Sequence, residues 1–191
     1  MIIGITGAIG SGKDTIADYL IEHHGFMRLS FAGKVKDVAA LVFGWDRELL
    51  EGRTKESRAW REVVDPFWGL SPRTALQRIG TEMFRDQIHP ETWIKTVQKQ
   101  IMSAPDRNYV ITDCRFENEV GAILDLGGQI WAVSRGEEPV WAAEARAGSV
   151  CPQGIHSTDW NVYWLQNKAS MKINNSSTLD DLYTAIERAF H

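Results

Sequence analysis

The stretch GAIGSGKDT, from Gly7 to Thr15, contains the residue types most directly suited to chemistry. Gly7, Gly12 and Lys13 stand at the positions that the phosphate-binding pattern G-x-x-x-x-G-K-[ST] requires. In this pattern the glycines let successive backbone N–H groups converge on phosphate oxygens, and the lysine adds a positive charge near the outer phosphates. The candidate phosphate ligands are Gly7, Ala8, Gly10, Ser11, Gly12, Lys13, Asp14 and Thr15.

Asp14 departs from the pattern, which calls for a metal-binding hydroxyl directly after the lysine. A carboxylate beside phosphates is repelled unless a cation lies between them or a proton is shared. Asp14 could hold Mg²⁺ directly or through water, because Mg²⁺ favours oxygen ligands. It could instead orient or deprotonate an acceptor, or only interact with the helix dipole. Thr15 lies ~100° further round the helix and cannot simply replace the missing hydroxyl.

A second acidic candidate, Asp113, ends the short apolar segment YVITD (109–113). An acid at the end of a buried strand is where a phosphate-binding fold places a carboxylate that holds Mg²⁺. Arg115 follows two residues later, and a carboxylate with a guanidinium at one strand end suits a site for metal and phosphate. We therefore predict that Asp14 and Asp113 bind the metal and that Arg115 is catalytic with Lys13.

A basic region in the middle of this otherwise acidic chain offers a site for a second anion. Ser71-Pro72 predicts a helix start, and the polar side chains of that helix lie opposite its apolar stripe. Further basic residues occur at Arg53, Lys55, Arg58, Arg61 and Arg73. A monophosphate brings nearly two negative charges, and arginine binds it in bidentate fashion. The candidate acceptor ligands are Arg73, Gln77, Arg78, Thr81 and Arg85, although a solvated polar face would look the same.

Residues 135–158 contain Arg, Glu, Gly and Pro and indicate an excursion from the core. Arg135 and Arg146 lie within it and could close over a phosphoryl group, expel water and balance transition-state charge. A mobile surface loop is the alternative. We count Arg135 among the candidate catalytic residues.

The elements that must position these side chains alternate between strands and helices. The predicted strands are 1–6, 26–32, 109–113, 129–134 and 171–173, and the predicted helices begin near 13, 34, 71, 91, 117 and 177. Residues 46–69 show no clear period. This alternation predicts an α/β fold with a doubly wound parallel sheet, helices on both faces and ligands at the carboxyl ends of the strands.

Composition limits the function classes. The 191 residues fit one domain, and the net charge of -4 does not favour non-specific binding to nucleic acid. No apolar run approaches the ~18 residues that cross a bilayer. Cys114 and Cys151 indicate reduced thiols, and the histidines show no metal-ligand spacing. We expect a soluble cytoplasmic protein that binds neither nucleic acid nor membrane.

Six segments in order along nearly the whole chain resemble phage-type deoxynucleoside monophosphate kinases of the P-loop nucleoside monophosphate kinase superfamily. They are GAIGSGKDTIADYL, LSFAGKVKD, SPRTALQRIGTEMFRD with ETWIK, VITDCRFENEV, HSTDW and KINNSSTLDDLY. The resemblance implies a three-layer sheet fold in one domain, with a monophosphate-binding region at about 46–103 and a lid at about 135–158. It also implies phosphoryl transfer from ATP to a deoxynucleoside monophosphate with Mg²⁺, by a monomer or homodimer in the cytoplasm, which is a host's cytoplasm if the protein is phage-encoded.

Carried onto this chain, the resemblance places residues 7–15 on the ATP phosphates. Gln77, Thr81 and Arg85 fall in the monophosphate region, and Asp113 and Arg115 lie beside the reacting phosphates. Gly-Lys-Asp-Thr is usual in the family, so Asp14 is no defect. The chain departs from the family in two places: the expected pattern H-x-S-E reads His156-Ser157-Thr158-Asp159, with a shorter acid, and residues 53–69 lie outside the matching segments. The alternatives are a P-loop kinase for dephospho-coenzyme A or phosphomevalonate, and a non-catalytic nucleotide-binding protein.

Overall fold

Residues 1–190 are described by a computed structural model, and they divide into two compact units. The first unit comprises Met1–Leu29 together with the chain from Gln100 onward, and the second comprises Ser30–Lys99. The phosphate-loop candidates belong to the first unit and the acceptor candidates to the second.

The first unit is built on a five-stranded sheet in which every pair of neighbouring strands is parallel. Its strands are β1 (Ile2–Thr6), β2 (Met27–Leu29), β3 (Tyr109–Ile111), β4 (Gln129–Ser134) and β5 (Met171–Asn174). They lie in the order β2-β3-β1-β4-β5, so β1 is central. The predicted parallel α/β architecture is confirmed, although β2 and β3 are shorter than their apolar segments, and Asp113 lies two residues beyond β3.

Side chains of β1 alternate between two helical layers. Ile3 and Ile5 pack in one apolar cluster with Leu20 of α1 (Lys13–His24) and Leu182 of α10 (Leu179–Glu187). At Gly4 the position of a side chain faces the other layer. A Cβ atom built there would lie 2.6 Å from Cδ1 of Ile123 in α7, the helix Glu117–Asp125. The sheet therefore has helices on both faces.

Helix ends in the first unit follow local chemistry with small shifts from the sequence prediction. Gly25 ends α1, as predicted. The capping box of α10 uses Thr178 and Asp181, whose reciprocal backbone-to-side-chain bonds both measure 3.2 Å, instead of starting at Ser177.

The predicted excursion at 135–158 is partly helical. It contains α8 (Ala142–Arg146), which packs on α9 (Ser157–Leu165) through a cluster that includes Ala142, Ala145 and Trp160. The Trp141 ring stacks on Trp160 with ring centroids 5.4 Å apart. Small alanines facing aromatic rings let the two helices pack closely, so this segment has a small apolar core of its own.

The second unit is helical, and its elements are short. They are α2 (Gly33–Phe43), α3 (Arg47–Glu51), α4 (Lys55–Glu62), α5 (Pro72–Gln77), a π-helical segment (Arg78–Met83) and the start of α6 (Thr92–Ser103). Helices α3 and α4 lie in the stretch without sequence period. Their starts depend on caps, because Asp46 accepts bonds from two backbone N–H groups of α3 and Thr54 forms a capping box with Ser57.

The helix predicted from Ser71-Pro72 begins as expected but changes its winding. The Ser71 hydroxyl accepts a 3.2 Å bond from the Thr74 N–H, and Pro72 occupies the first turn. From Arg78 the chain is π-helical: the N–H of Phe84 donates to the carbonyl of Ile79 over 3.3 Å, five residues back. The wider turn rotates later side chains away from the apolar stripe of the α-helix. Met83, which regular helical spacing places on this stripe, is 55% exposed.

Two sequence expectations concern membranes and thiols. Among the described residues, no helix combines the length and apolarity needed to span a bilayer. Cys114 and Cys151 are both free thiols, which agrees with the expectation of reduced cysteines.

Ile5 tests whether the core behind the phosphate loop stabilises the first unit. Ile5 is fully buried, so Ile5→Ala is expected to reduce the free energy of unfolding by about 2–5 kcal/mol through lost burial and a residual cavity. Urea unfolding followed by tryptophan fluorescence measures the change. Val140→Ala is the control, because Val140 is 99% exposed and should shift stability little. Equal losses in both variants would contradict the assignment of this core.

Candidate active site

The glycine loop lies at the carboxyl end of the central strand. It follows β1 directly and leads into α1, which begins at Lys13. The connection after β1 leads toward β2 and the connection after the neighbouring β3 leads toward β4 on the opposite side, and open parallel sheets bind ligands where such connections diverge. The strand–loop–helix context that the phosphate-binding pattern requires is therefore present.

Two contacts hold the loop in its curved form. The Lys13 ammonium donates 2.8 Å hydrogen bonds to the carbonyls of Gly7 and Ala8 and so closes the loop on itself. On the other side, the buried Asn175 amide donates a 2.9 Å bond to the Ser11 carbonyl. Gly12 has a φ of 100°, and a Cβ atom there would lie 2.2 Å from the Asn175 amide nitrogen. Only glycine fits this position, for reasons of both conformation and space.

Two hydroxyls beside the loop lack protein partners. The side-chain oxygens of Ser11 and Thr6 are buried, and neither has a hydrogen-bond partner among the described residues. A buried polar atom left unpaired costs about 1–3 kcal/mol, so native proteins rarely keep one without a water, ligand or functional reason. Their position at the end of β1 and within the loop favours a polar ligand there.

The charged residues predicted as catalytic gather around Lys13. Burial, followed by the positive charge of Arg115, lowers the pKa of the Lys13 ammonium to about 8. The charges of Asp14 and Asp113 oppose this shift. Asp14, Asp113 and Arg115 thus all act electrostatically on Lys13. The ammonium is destabilised in the free protein and would be stabilised by phosphate oxygens.

Asp14 is held by a residue that the sequence analysis missed. Arg28 of β2 donates 2.7 Å bonds to the carboxylates of both Asp14 and Asp18, and its side chain is only 18% exposed. The Thr112 hydroxyl donates a 3.3 Å bond to the same Asp14 oxygen. The signal was available: Asp14 and Asp18 are four apart on one helix, and a charged residue within a sheet strand needs such partners.

Asp113 and Arg115 are positioned by the start of α7. The Glu119 carboxylate accepts backbone N–H bonds from Arg115 at 2.9 Å and Phe116 at 3.1 Å, which fixes the turn after β3. Cys114 lies between the two candidates with its thiol buried, and burial raises the pKa of this thiol well above its usual value. The Arg115 guanidinium makes no hydrogen bond to another described residue. It therefore stays available for an anion.

The donor set fits Mg²⁺. Mg²⁺ is usually held by one or two carboxylates completed by phosphate oxygens and waters, and Asp14 and Asp113 are two carboxylates near one lysine. No group of three or more His, Cys, Asp or Glu side chains within residues 1–190 could form an all-protein metal cage. The site therefore suits a metal that arrives with phosphates.

The two arginines of the 135–158 segment differ in their surroundings. Arg135 is exposed just after β4 and has no hydrogen bond to another residue that the structure describes. Arg146, in contrast, forms an ion pair with Glu138 and donates a 2.9 Å bond to Gln166. These contacts assign Arg146 to the internal packing of the segment instead of to phosphate binding. Arg135 stays a candidate.

The acceptor candidates in the second unit cluster where the helix changes winding. Arg73, Gln77, Arg78 and Thr81 are exposed, and Arg85 is half-buried. Arg78 and Thr81 lie within the π-helical segment, and such segments often mark functional sites because they redirect side chains. Arg73, Gln77, Arg78 and Thr81 are therefore accessible to a ligand.

Two cavities of the first unit do not coincide with the loop. One of about 240 Å³ is lined by residues that include Ser134, Glu138 and Lys172. The other, of about 620 Å³, lies beside Phe116 and Trp164. Neither includes a residue of the glycine loop, because a cradle of backbone amides is shallow. The loop geometry, not cavity size, identifies the site.

The fold and the loop together define the class of P-loop kinases. No family model matches the chain. Its structure is similar to shikimate kinase from Aquifex aeolicus, with a TM-score of 0.55, 13% identity and coverage of 100% of this chain and 96% of that one. It is also similar to dephospho-CoA kinase from Campylobacter jejuni, with a TM-score of 0.51, 17% identity and coverage of 99% and 95%. These likenesses show the fold.

Sequence comparison gives the family. The chain is 33% identical to a protein of Acanthamoeba polyphaga mimivirus described as a deoxynucleotide monophosphate kinase, covering 97% of this chain and 94% of the relative. It is 28% identical to the deoxynucleoside-5'-monophosphate kinase of Escherichia phage T5, covering 62% of this chain and 70% of that protein. The chain belongs to the deoxynucleoside monophosphate kinase family.

Proton uptake tests the lowered pKa of Lys13. Above pH 8 much of Lys13 is neutral in the free protein, and phosphate anions raise its pKa, so ATP binding at about pH 8.5 should take up a large fraction of a proton. Calorimetry in buffers of different ionisation enthalpy measures this uptake. Lys13→Arg is the control, because its guanidinium stays charged and should show none. Equal uptake in both proteins would contradict the assignment.

Arg28 tests the charge balance around Asp14. Arg28→Gln leaves the Asp14 and Asp18 carboxylates without their shared cation, so repulsion should weaken ATP binding about fivefold. Titration calorimetry at constant ionic strength measures the dissociation constant. Arg188→Gln removes the same charge from an exposed site and should leave it unchanged. Equal weakening in both variants would reduce the effect to net charge.

Proposed function

We propose that this protein transfers the γ-phosphoryl group of ATP to the phosphate of a deoxynucleoside monophosphate by in-line displacement. A bond forms between the γ-phosphorus and an acceptor oxygen, the bond to the bridging oxygen breaks, and the products are ADP and a deoxynucleoside diphosphate. The carrying observation is the loop closed by Lys13, with Asp14, Asp113 and Arg115 acting on the same ammonium. The named viral relatives support the choice of acceptor.

On the donor side, the backbone amides of residues 7–15 would bind the ATP phosphates, with the hydroxyl of Ser11 as a further ligand. Lys13 would exchange its bonds to the Gly7 and Ala8 carbonyls for phosphate oxygens. Arg115 and Arg135 would neutralise charge that develops during transfer. Because phosphoryl transfer needs little covalent help from the protein, this positioning and neutralisation would supply most of the catalysis.

Asp14 and Asp113 are the residues that would hold Mg²⁺, and Asp14 could alternatively position the acceptor. When bound, Mg²⁺ would neutralise phosphate charge and polarise the group that is transferred. Arg28 and Thr112 hold the Asp14 carboxylate in place for either role. The Arg28 guanidinium, which pairs with both Asp14 and Asp18, also limits the repulsion that Asp14 exerts on the phosphates.

On the acceptor side, we assign the phosphate to arginines of the second unit. Their guanidiniums offer paired donors to a dianion, and Gln77 and Thr81 add neutral hydrogen-bonding groups. The proposed acceptor ligands are Arg73, Gln77, Arg78, Thr81 and Arg85. The acceptor and ATP would be the only small-molecule partners, and we place the reaction in the cytoplasm of the host of a virus that carries this gene.

An acceptor panel tests the proposed reaction. With Mg²⁺ and ATP, ADP formation should depend on a deoxynucleoside monophosphate, and Lys13→Ala should reduce turnover at least ~100-fold while circular dichroism shows an unchanged fold. The panel contains the four deoxynucleoside monophosphates, their ribose counterparts, dephospho-coenzyme A and phosphomevalonate. Turnover with a non-nucleotide acceptor alone would reject the proposed acceptor class. An absence of acceptor-dependent ADP formation would favour a nucleotide-binding protein without kinase activity.

A further inference from the structure

Arg61 of α4 is a half-buried cation that lacks a matching anion. Its guanidinium packs on the backbone of Gly52, where a Cβ atom would lie 2.3 Å from the guanidinium carbon. The Nε–H of Arg61 is buried without a hydrogen-bond partner among the described residues, and its Nη1 makes only a 3.4 Å contact with the Leu50 carbonyl. Five donors with one weak acceptor leave this side chain far from satisfied.

Neighbouring positive charges further destabilise the Arg61 cation. Arg58 is held on the carbonyls of Gly52, at 3.3 Å, and Arg53, at 2.9 Å, so it lies on the same glycine as Arg61. Burial, followed by the charge of Arg73, lowers the pKa of Arg61 from its ordinary value; the charge of Glu62 opposes this shift, and that of Arg58 adds to it. Two further guanidiniums therefore act on that of Arg61 within the second unit.

The charges of two carboxylates, Glu62 and then Glu51, oppose the lowering of the Arg61 pKa, but neither forms an ion pair with Arg61 among the described residues. Glu51 forms a 2.6 Å bond with Lys36 and a second ion pair with Arg47, and these two bonds lower the pKa of its carboxyl against the effect of burial. Gly52 separates Glu51 from the arginines with a backbone turn that only glycine adopts readily at a φ of 67°. An ion-pair network confined to the protein would give Arg61 a carboxylate partner. This arrangement instead leaves the cations to an external anion.

We propose that Arg61, together with Arg58 and Arg73, forms a binding site for a phosphate dianion, and that this dianion is the phosphate of the acceptor nucleotide. The assignment rests on the proposed function and adds Arg58 and Arg61 to its acceptor ligands. The oxygens of a bound dianion would accept hydrogen bonds from the Arg61 guanidinium. Its negative charge would also reduce the repulsion that Arg58 and Arg73 exert on Arg61. The assignment also gives a role to residues 53–69, which lie outside the segments that match the family.

Calorimetry without ATP tests the site with three probes: the deoxynucleoside monophosphate that is phosphorylated fastest, its deoxynucleoside, and inorganic phosphate. Arg61→Gln and Arg73→Gln should each weaken binding of the monophosphate at least about tenfold and leave binding of the deoxynucleoside and of ATP within about twofold. Inorganic phosphate should compete with the monophosphate in the wild-type protein. Lys99→Gln removes an exposed charge of the same unit and should change none of these affinities.

Several outcomes would overturn the inference. Unchanged monophosphate affinity in both arginine variants would remove the site, and equal weakening in Lys99→Gln would reduce it to net charge. Weaker binding of inorganic phosphate or ATP alone would assign the site to a different phosphate ligand. Arg73 is exposed and makes no hydrogen bond to another described residue, so Arg73→Gln keeps the test valid if Arg61→Gln unfolds.

The two proposals can fail separately. If the wild-type protein phosphorylates no deoxynucleoside monophosphate, the proposed function fails, and competition between inorganic phosphate and other anions still shows whether the arginines bind phosphate. If the wild-type protein does phosphorylate such an acceptor and Arg61→Gln retains its KM, the proposed function stands and the arginine site is wrong.

Discussion

The close packing of Asn175 against Gly12 is the constraint on which the rest of the site depends. The Asn175 amide binds the Ser11 carbonyl from below, and the Lys13 ammonium binds the Gly7 and Ala8 carbonyls from within. The Ser11 N–H also donates a 3.2 Å bond to the Ala8 carbonyl, so the loop is held in its curved form by contacts of its own and by Asn175. Since Asn175 follows β5 and Lys13 begins α1, the sheet and the first helix jointly set the shape of the phosphate cradle.

Charge around this cradle is balanced in pairs. Asp14 would repel phosphates where the usual pattern has a hydroxyl, but Arg28 shares its cation between Asp14 and Asp18. On the other side, Asp113 and Arg115 flank the buried Cys114 and act on Lys13 with opposite sign. Lys13 itself is destabilised as a cation by burial, so a bound anion has a large effect on it. Each charge is therefore positioned by strand ends and by the first turn of a helix.

In the second unit, unpaired arginines take the place of paired charges. Arg58 and Arg73 act on Arg61, and none of the three forms an ion pair with a described carboxylate, whereas Lys36 and Arg47 share Glu51. Uncompensated cations cost stability and are found mainly where a ligand supplies the missing charge. The π-helical turn beginning at Arg78 is a second departure from regular structure in this unit. Arg58 and Arg61 lie in the stretch without clear sequence period, whereas the π-helical turn interrupts a helix that the apolar stripe predicts.

The sequence by itself determined the parallel α/β sheet, the loop at residues 7–15 and the candidates Lys13, Asp14, Asp113 and Arg115, because apolar periodicity and glycine spacing are local signals. Only the tertiary structure decided that Arg28 pairs with Asp14, that Asn175 supports Gly12, that Arg146 is an internal packing residue, and that Arg61 lacks a carboxylate. These contacts join residues far apart in sequence, or they depend on which of several oppositely charged side chains forms the ion pair. Local pattern cannot specify them, because a side chain's partner is fixed only when strands and helices are assembled.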